Sequence, residues 1–344
     1  MKRPLWFLLF AALPGVAIGQ QTPSPALLAL SKQDHTLAIV DPSDLHVVAR
    51  IPVGDDPHEV TASADGKTAY VSNYGFGAFH TLTVVDLVGQ RSLGVTDLGA
   101  LRGPHCLAFA AGKVWFTAEM EKAIGSYDPS THSIDWILGT GQNRTHMLYV
   151  FPDGKRIVTT NVNSGTVSII EKSEGHVPVL PDAGVPSNRL PSPPHSEEWV
   201  ITIVPVGHGS EGFDVSPDGN EAWVANAGDG TISIVDITEK KAIATIQANA
   251  PGANRLKFTP DGRRVLVSAG SYLVVFDAVT RREIKRMSIG HGLGGIQVQP
   301  DGARAYVASG QDGFVAVVDL NTLDVTAHID VGKGPDGLAW AVRP

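Results

Sequence analysis

A single cysteine, Cys106, stands in a chain of 344 residues, so no intrachain disulfide can form and stability must come from packing alone. There is no C-x-x-C, no C-x-x-C-H and no G-x-S-x-G. Covalent haem attachment and a nucleophile elbow are therefore without support. Basic residues are also scarce: 27 Lys and Arg stand against 35 Asp and Glu, a formal charge of −8. No Lys/Arg block with interleaved aromatics occurs, which argues against nucleic acid as a partner. Long apolar runs are missing except at the start. Leu5 to Ile18 is apolar but interrupted by Pro14 and Gly15, and is shorter than the ~20 residues that span a bilayer. Lys2 and Arg3 precede it, and Ala17-Ile18-Gly19 offers small residues where a signal peptidase cuts. We read residues 1–19 as a signal peptide cleaved before Gln20. Residues 20–344 are then a single soluble domain, secreted or periplasmic, with no membrane span, and the absence of a Cys at the cut argues against a lipid anchor.

What the chain has in abundance is repetition. Pro-Asp-Gly recurs at 152–154, 217–219, 260–262 and 300–302, and a fixed period sets the architecture before any motif is read. Around each tripeptide stand an apolar alternation, the turn, a strand ending near Asn or Ser, a Gly-containing link, a strand ending in Asp, and a fourth strand. Copies begin near Pro57, Pro104, Thr145, Ser210, Ala253 and Leu293. The N-terminus supplies strands two to four of a seventh unit at Leu28–Ser31, Leu37–Asp41 and Val47–Ile51, and Asp336 to Trp340 supplies its missing first strand. The pattern predicts an all-β, seven-bladed β-propeller with four antiparallel strands per blade. Its ring is closed by the C-terminal strand, so that no sheet edge is left open.

The segments Tyr70-Val71-Ser72-Asn73, Trp223-Val224-Ala225-Asn226 and Tyr306-Val307-Ala308-Ser309 resemble the YVTN-type β-propeller repeat. The resemblance covers essentially the whole of residues 20–344. It implies the propeller fold, in a repeat family that holds binding scaffolds and enzymes alike. One unit, Val114 to Glu119 with Ile124 to Asp128, is similar to the repeat of streptogramin-lyase-like propellers.

One interval breaks the period: 65 residues separate Asp153 from Asp218, against 43 and 40 for the next two spacings. The excess, roughly Lys172 to Glu198, is rich in proline, which opposes strand pairing. It is expected as a loop between strands three and four of blade four, on the face opposite the channel mouth. A docking loop and a tolerated surface insertion are both open readings.

Repeat phase also aligns a ring of polar residues. At the start of each inner strand stand Asp336, His58, His105, His146, Glu211, Asn254 and Gly294. In a propeller these positions encircle the channel mouth. His58, His105, His146 and Glu211 come from four consecutive blades, a ligand set suited to Zn²⁺ or a similar divalent metal. Pro-His is also an ordinary start for this repeat's inner strand, where the imidazole binds neighbouring backbone. The link Tyr74 to His80 carries aromatics on glycines, suited to a ligand wall or lid, or to packing on blade three. Tyr74, Phe76, His80, Asn254 and Asp336 are thus candidate ligand-binding residues. His80 and His208 are candidate proton carriers. Two G-x-G-x-x-G matches, starting at Gly207 and Gly290, link strands rather than a strand and a helix, so dinucleotide binding fails. Cys106 next to His105 points to the opposite face and reads as a buried hydrophobe.

Two functions follow as expectations. One is a secreted or periplasmic scaffold, monomeric, that holds a small molecule, a metal or a protein partner at the mouth. The other is a metal-dependent hydrolase or lyase of lactonase type, built on His58, His105, His146 and Glu211.

Overall fold

The computed structural model describes residues 21–173 and 198–344. The expected signal peptide and the body of the blade-four insertion lie outside the described residues. Strands are numbered β1 to β28 along the chain and form seven four-stranded antiparallel sheets. The inner strands are β4 (Pro57–Ala62), β8 (Pro104–Ala110), β12 (Thr145–Val150), β16 (Ser210–Val215), β20 (Ala253–Phe258), β24 (Leu293–Val298) and β28 (Pro335–Ala341). Each touches the next, and β28 touches β4, which closes the ring. In blade one β28 pairs with β1 (Ala26–Ser31), placing Leu27 opposite Trp340 and Ala29 opposite Leu338. The two chain ends therefore share one sheet, as the sequence predicted. Among the described residues no helix is long and apolar enough to cross a membrane.

The repeated letters have local causes. In the Pro-Asp-Gly turn, the Asp218 carboxylate accepts the N–H of Asn220 at 3.1 Å, and Gly219 takes φ +76°, which favours glycine. The Asn that ends strand two ties it to strand three: the Asn226 amide donates to Thr231 and Ser233, both at 2.9 Å. Adjacent blades bury their apolar faces against each other, as where Trp223 meets Phe258 and Tyr306 meets Trp340. Burial of a side chain of this size contributes about 1.5–3 kcal/mol.

Every inner strand carries an irregularity in pairing at its start, for example between Pro57 and Val60 and between Pro104 and Leu107. The bulge breaks the ladder and re-aims the residues within it. Where a backbone N–H loses its ladder partner there, a strand-two hydroxyl replaces it. Ser72 accepts from Glu59 N and donates to the carbonyl of His105 in the next blade at 2.8 Å. Thr117 links Cys106 to His146, Thr160 links Met147 to Glu211, and Ser268 links Arg255 to Gly294 in the same way. In the other three blades strand two offers Leu30, Ala225 or Ala308, and the bulge holds Gly337, Gly212 or Gly295. A Cβ on Gly212 would lie 2.3 Å from the Asn254 carbonyl oxygen, so the next blade packs directly on the glycine. In these four blades the strand-two hydroxyl therefore fixes the backbone that carries the mouth residues.

In blade four, β14 (Thr166–Ser173) pairs with β15 (Glu198–Pro205) from Thr166 opposite Pro205 to Ser173 opposite Glu198. Lys172 and Glu198, the ends expected for the inserted loop, are thus paired strand residues. Ser173 and Glu198 stand at the end of the blade away from the channel mouth.

Candidate metal centre and ligand cleft at the channel mouth

The bulges bring three imidazoles into a row. The rings of His58 and His105 are 4.1 Å apart and those of His105 and His146 are 3.7 Å apart. His105 is 1% exposed and His146 2%. Among the described residues, Nδ1 of His105 is buried without a hydrogen-bond partner. Tyr74 packs its ring 4.9 Å from His58 and 5.2 Å from His105.

Glu119, the residue after β9 (Lys113–Ala118), completes the group. One of its oxygens pairs with Nδ1 of His146, and the other accepts from the Tyr74 hydroxyl at 2.5 Å. On the far side of the same imidazole, Nε2 of His146 lies 2.6 Å from Glu211. Arg144 bridges both acids, at 3.5 Å from Glu119 and 3.4 Å from Glu211. Ligand atoms of His105, Glu119 and His146 all lie within 4.8 Å of one another. Two imidazoles and a carboxylate form a donor set suited to Zn²⁺ or a related ion.

Electrostatics separates the three histidines. Burial, reinforced by the charges of His146 and His58, holds His105 well below the usual histidine range. Burial likewise lowers His58 to about 4, with Asp336 opposing and Lys32 assisting. Burial would also lower His146, but its bonds to Glu119 and Glu211 outweigh that and raise it. Glu211 falls to about 2, since His146 and Arg144 overcome the desolvation that would raise it. Burial thus favours the neutral form of His105, while Glu119 and Glu211 on either side of His146 favour its protonated form.

Lys32 links this group to the rest of the mouth. Its Nζ contacts Nδ1 of His58 and lies 3.2 Å from Asp56 and 3.4 Å from Asp336. Below, Arg255 of blade six reaches Glu59 of blade two at 2.7 Å, a buried ion pair between inner strands on opposite sides of the channel. This pair floors the mouth.

Three repeat positions explain the layout. Just before each inner strand stand Gly334, Asp56, Gly103, Arg144, Gly209, Gly252 and Gly292, all with φ between +46° and +71°. Five of these are glycine, and the two that are not, Asp56 and Arg144, both make ion pairs at the site. Non-glycine residues in this conformation store strain on the order of 1–3 kcal/mol, which locates a functional constraint. Just after each strand two stand Lys32, Tyr74, Glu119, Val162, Ala227, Gly270 and Gly310. With the aligned ring of Asp336 to Gly294, these make up the mouth. In blades six and seven nearly all of these positions are glycine. There the mouth opens into a cleft of about 610 Å³ lined by Gly252, Asn254, Gly270, Gly292, Gly294, Gly310 and Gly334, with Lys32, Asp56, Asp336 and Phe76 at its side.

Of the residues singled out in the sequence, His58, His105, His146 and Glu211 lie together, and Phe76, Asn254 and Asp336 line the cleft. Tyr74 stands on the imidazole side instead. His80 points outward to Asp97 at 2.8 Å and is 44% exposed, and His208 is exposed with its backbone N–H on Asp229. Neither reaches the cluster, because the links that carry them turn away from the channel. Cys106 is buried, its thiol pushed up to about 12 by burial. Glu119, Arg144, Lys32, Asp56 and the Glu59–Arg255 pair were not singled out. The phase that aligned the histidines would have found the first four.

No protein-family model matches the chain, and no curated protein does. Solved structures match in fold. A protein of unknown function from Desulfotomaculum acetoxidans DSM 771 has a TM-score of 0.74 at 13% identity, over 93% of this chain and all of that one. A candidate 6-phosphogluconolactonase of Bacteroides fragilis NCTC 9343 has a TM-score of 0.70 at 15% identity, covering 95% and 99%. A second such candidate, from Bacteroides uniformis ATCC 8492, has 0.72 at 15% identity, covering 92% and 99%. At these identities the likeness shows the propeller fold alone.

Proposed function

We propose that this protein is secreted or periplasmic and binds a small molecule at the propeller mouth beside a divalent metal held by His105, His146 and Glu119. The observation that carries this is the buried, unpartnered Nδ1 of His105, next to a His–carboxylate pair. A buried polar atom without a partner costs about 1–3 kcal/mol, and a metal would satisfy it. The ion would displace the proton of His146 and supply a Lewis acid. Tyr74 fixes Glu119, and Arg144 balances both acids.

A second reading is hydrolysis of a lactone-type carbonyl. It is favoured by the continuous chain Tyr74–Glu119–His146–Glu211, which can hold and pass a proton, and weakly by the names of two structural neighbours. In this reading the proton carrier is His146 with its two acids, not His80 or His208.

Elemental mass spectrometry of the full chain, purified without chelator, tests the metal. About one Zn²⁺ or similar ion per chain is expected, lost in His105→Ala and in Glu119→Gln. A wild-type chain that is metal-free, and whose melting temperature does not rise with added Zn²⁺, would sink the reading. Turnover of a lactone panel then separates the scaffold from the enzyme.

A further inference from the structure

The cleft of blades six, seven and one is chemically unlike the imidazole cluster. Six glycines line it at positions where other blades place side chains. Its volume of about 610 Å³ falls within the range of small-ligand sites, ~300–1,000 Å³. At its rim stands Phe76, 90% exposed, with φ +52° between Gly75 at +57° and Gly77 at +90°. A bulky side chain in this conformation is a genuine outlier. Among the described residues, the strained turn holds an aromatic face out to solvent.

The charge of the cleft narrows what fits. Lys32 is committed to Asp56 and Asp336, so this ammonium and the two carboxylates beside it sum to one negative charge. A phosphate finds no unpaired cation here and meets two carboxylates. Asn254 accepts from Arg255 through its Oδ1, leaving its amide nitrogen as a donor to a ligand. The Asp56 and Asp336 carboxylates can accept charge-assisted hydrogen bonds from ligand hydroxyls. One aromatic face, not a cage of several, suits the C–H face of a ring better than a quaternary ammonium.

We propose that this cleft takes a neutral, polyhydroxylated ring of the saccharide class, stacked on Phe76 and hydrogen-bonded by Asn254, Asp56 and Asp336. The proposal deepens the reading of the mouth as a ligand site, but it does not need the metal.

The test is ligand-observed NMR titration of the full chain with glucose, cellobiose, maltose, sucrose, glucose 6-phosphate and choline. At least one neutral saccharide should bind, at least tenfold more tightly than glucose 6-phosphate. Phe76→Ala should weaken it at least tenfold and Phe76→Trp should retain it. Phe76 is exposed, so both variants should melt with the wild type, and their metal content should be unchanged. Repeating the titration on chelator-stripped protein separates the two ideas: saccharide binding that survives without metal supports the cleft even if the metal assay fails. Binding of choline in place of sugars, parity or preference for the phosphate, an unaltered Phe76→Ala, or no saccharide bound would each overturn the proposal.

Discussion

One half of the mouth is crowded and the other is bare, although both are cut from the same repeat. Blades two to five put His58, His105, His146 and Glu211 at the bulge, with Tyr74 and Glu119 beside them. Blades six and seven put Asn254 and Gly294 at the bulge, with Gly270 and Gly310 beside them. The backbone is alike in both halves, so side-chain volume and charge at three repeat positions decide the difference. Filling those positions desolvates titratable groups until their pKa values separate, as with His105 and His146. Emptying them leaves a cleft lined largely by glycine. A repeat fold thus holds two chemistries within one ring without altering its frame.

The largest effect is expected at the tie between the halves. Arg255→Ala leaves Glu59 buried without its counter-charge and should cost about 3–5 kcal/mol in chemical denaturation. The pair Glu59→Gln with Arg255→Met should recover most of that. A loss below about 1 kcal/mol in the single variant would show that the channel floor is solvated.

A somewhat smaller effect distinguishes the histidines by pH in chelator-stripped protein. His58 faces Lys32, Asp336, Tyr74 and His105 and is held near 4, below its unfolded value of about 6.5. Its contribution is whole above pH 6.5 and is lost as pH falls from 6.5 toward 4, up to about 3 kcal/mol. His146 has the opposite sign: its folded value is raised, so its contribution is whole below pH 6.5 and fades as pH rises through that value. Melting curves should show wild type losing more stability than His58→Gln between pH 6.5 and 4. Parallel slopes would place His58 in water.

The smallest of these effects comes from rebuilding the crowded half inside the bare one. Gly294 lacks the left-handed φ of its neighbour Gly292, and a Cβ there meets only the Asp336 carboxylate at 2.8 Å, which can shift. Gly294→His should fill the cleft and weaken saccharide binding about tenfold, about 1.4 kcal/mol, with metal content unchanged. If both functions fall together, the two halves are one site.

Much of this was legible before any coordinates. The seven blades and the shared first blade follow from alternation, Asp-Gly turns and an unpaired strand at each end. These are local signals, and the closed ring is how such strands leave no edge exposed. His58, His105, His146 and Glu211 could be grouped because repeat phase translates directly into position around the ring. Glu119 escaped because it follows Ala118 in a unit whose Asn is missing, and because it belongs to the link after strand two. His80 and His208 were misread because a link's length says nothing of the direction in which its side chains leave.

The sequence by itself determined the architecture, the ring order of the mouth residues and the absence of disulfides, since periodicity and composition are properties of the chain alone. Only the tertiary structure decided that Glu119 and Glu211 clamp opposite sides of one imidazole, that Lys32 is spent on two aspartates, and that Arg255 crosses to Glu59. These depend on distances between residues far apart in the chain, 196 positions for Glu59 and Arg255 and more for Lys32 and Asp336, and on burial, which sets how strongly each charge is felt.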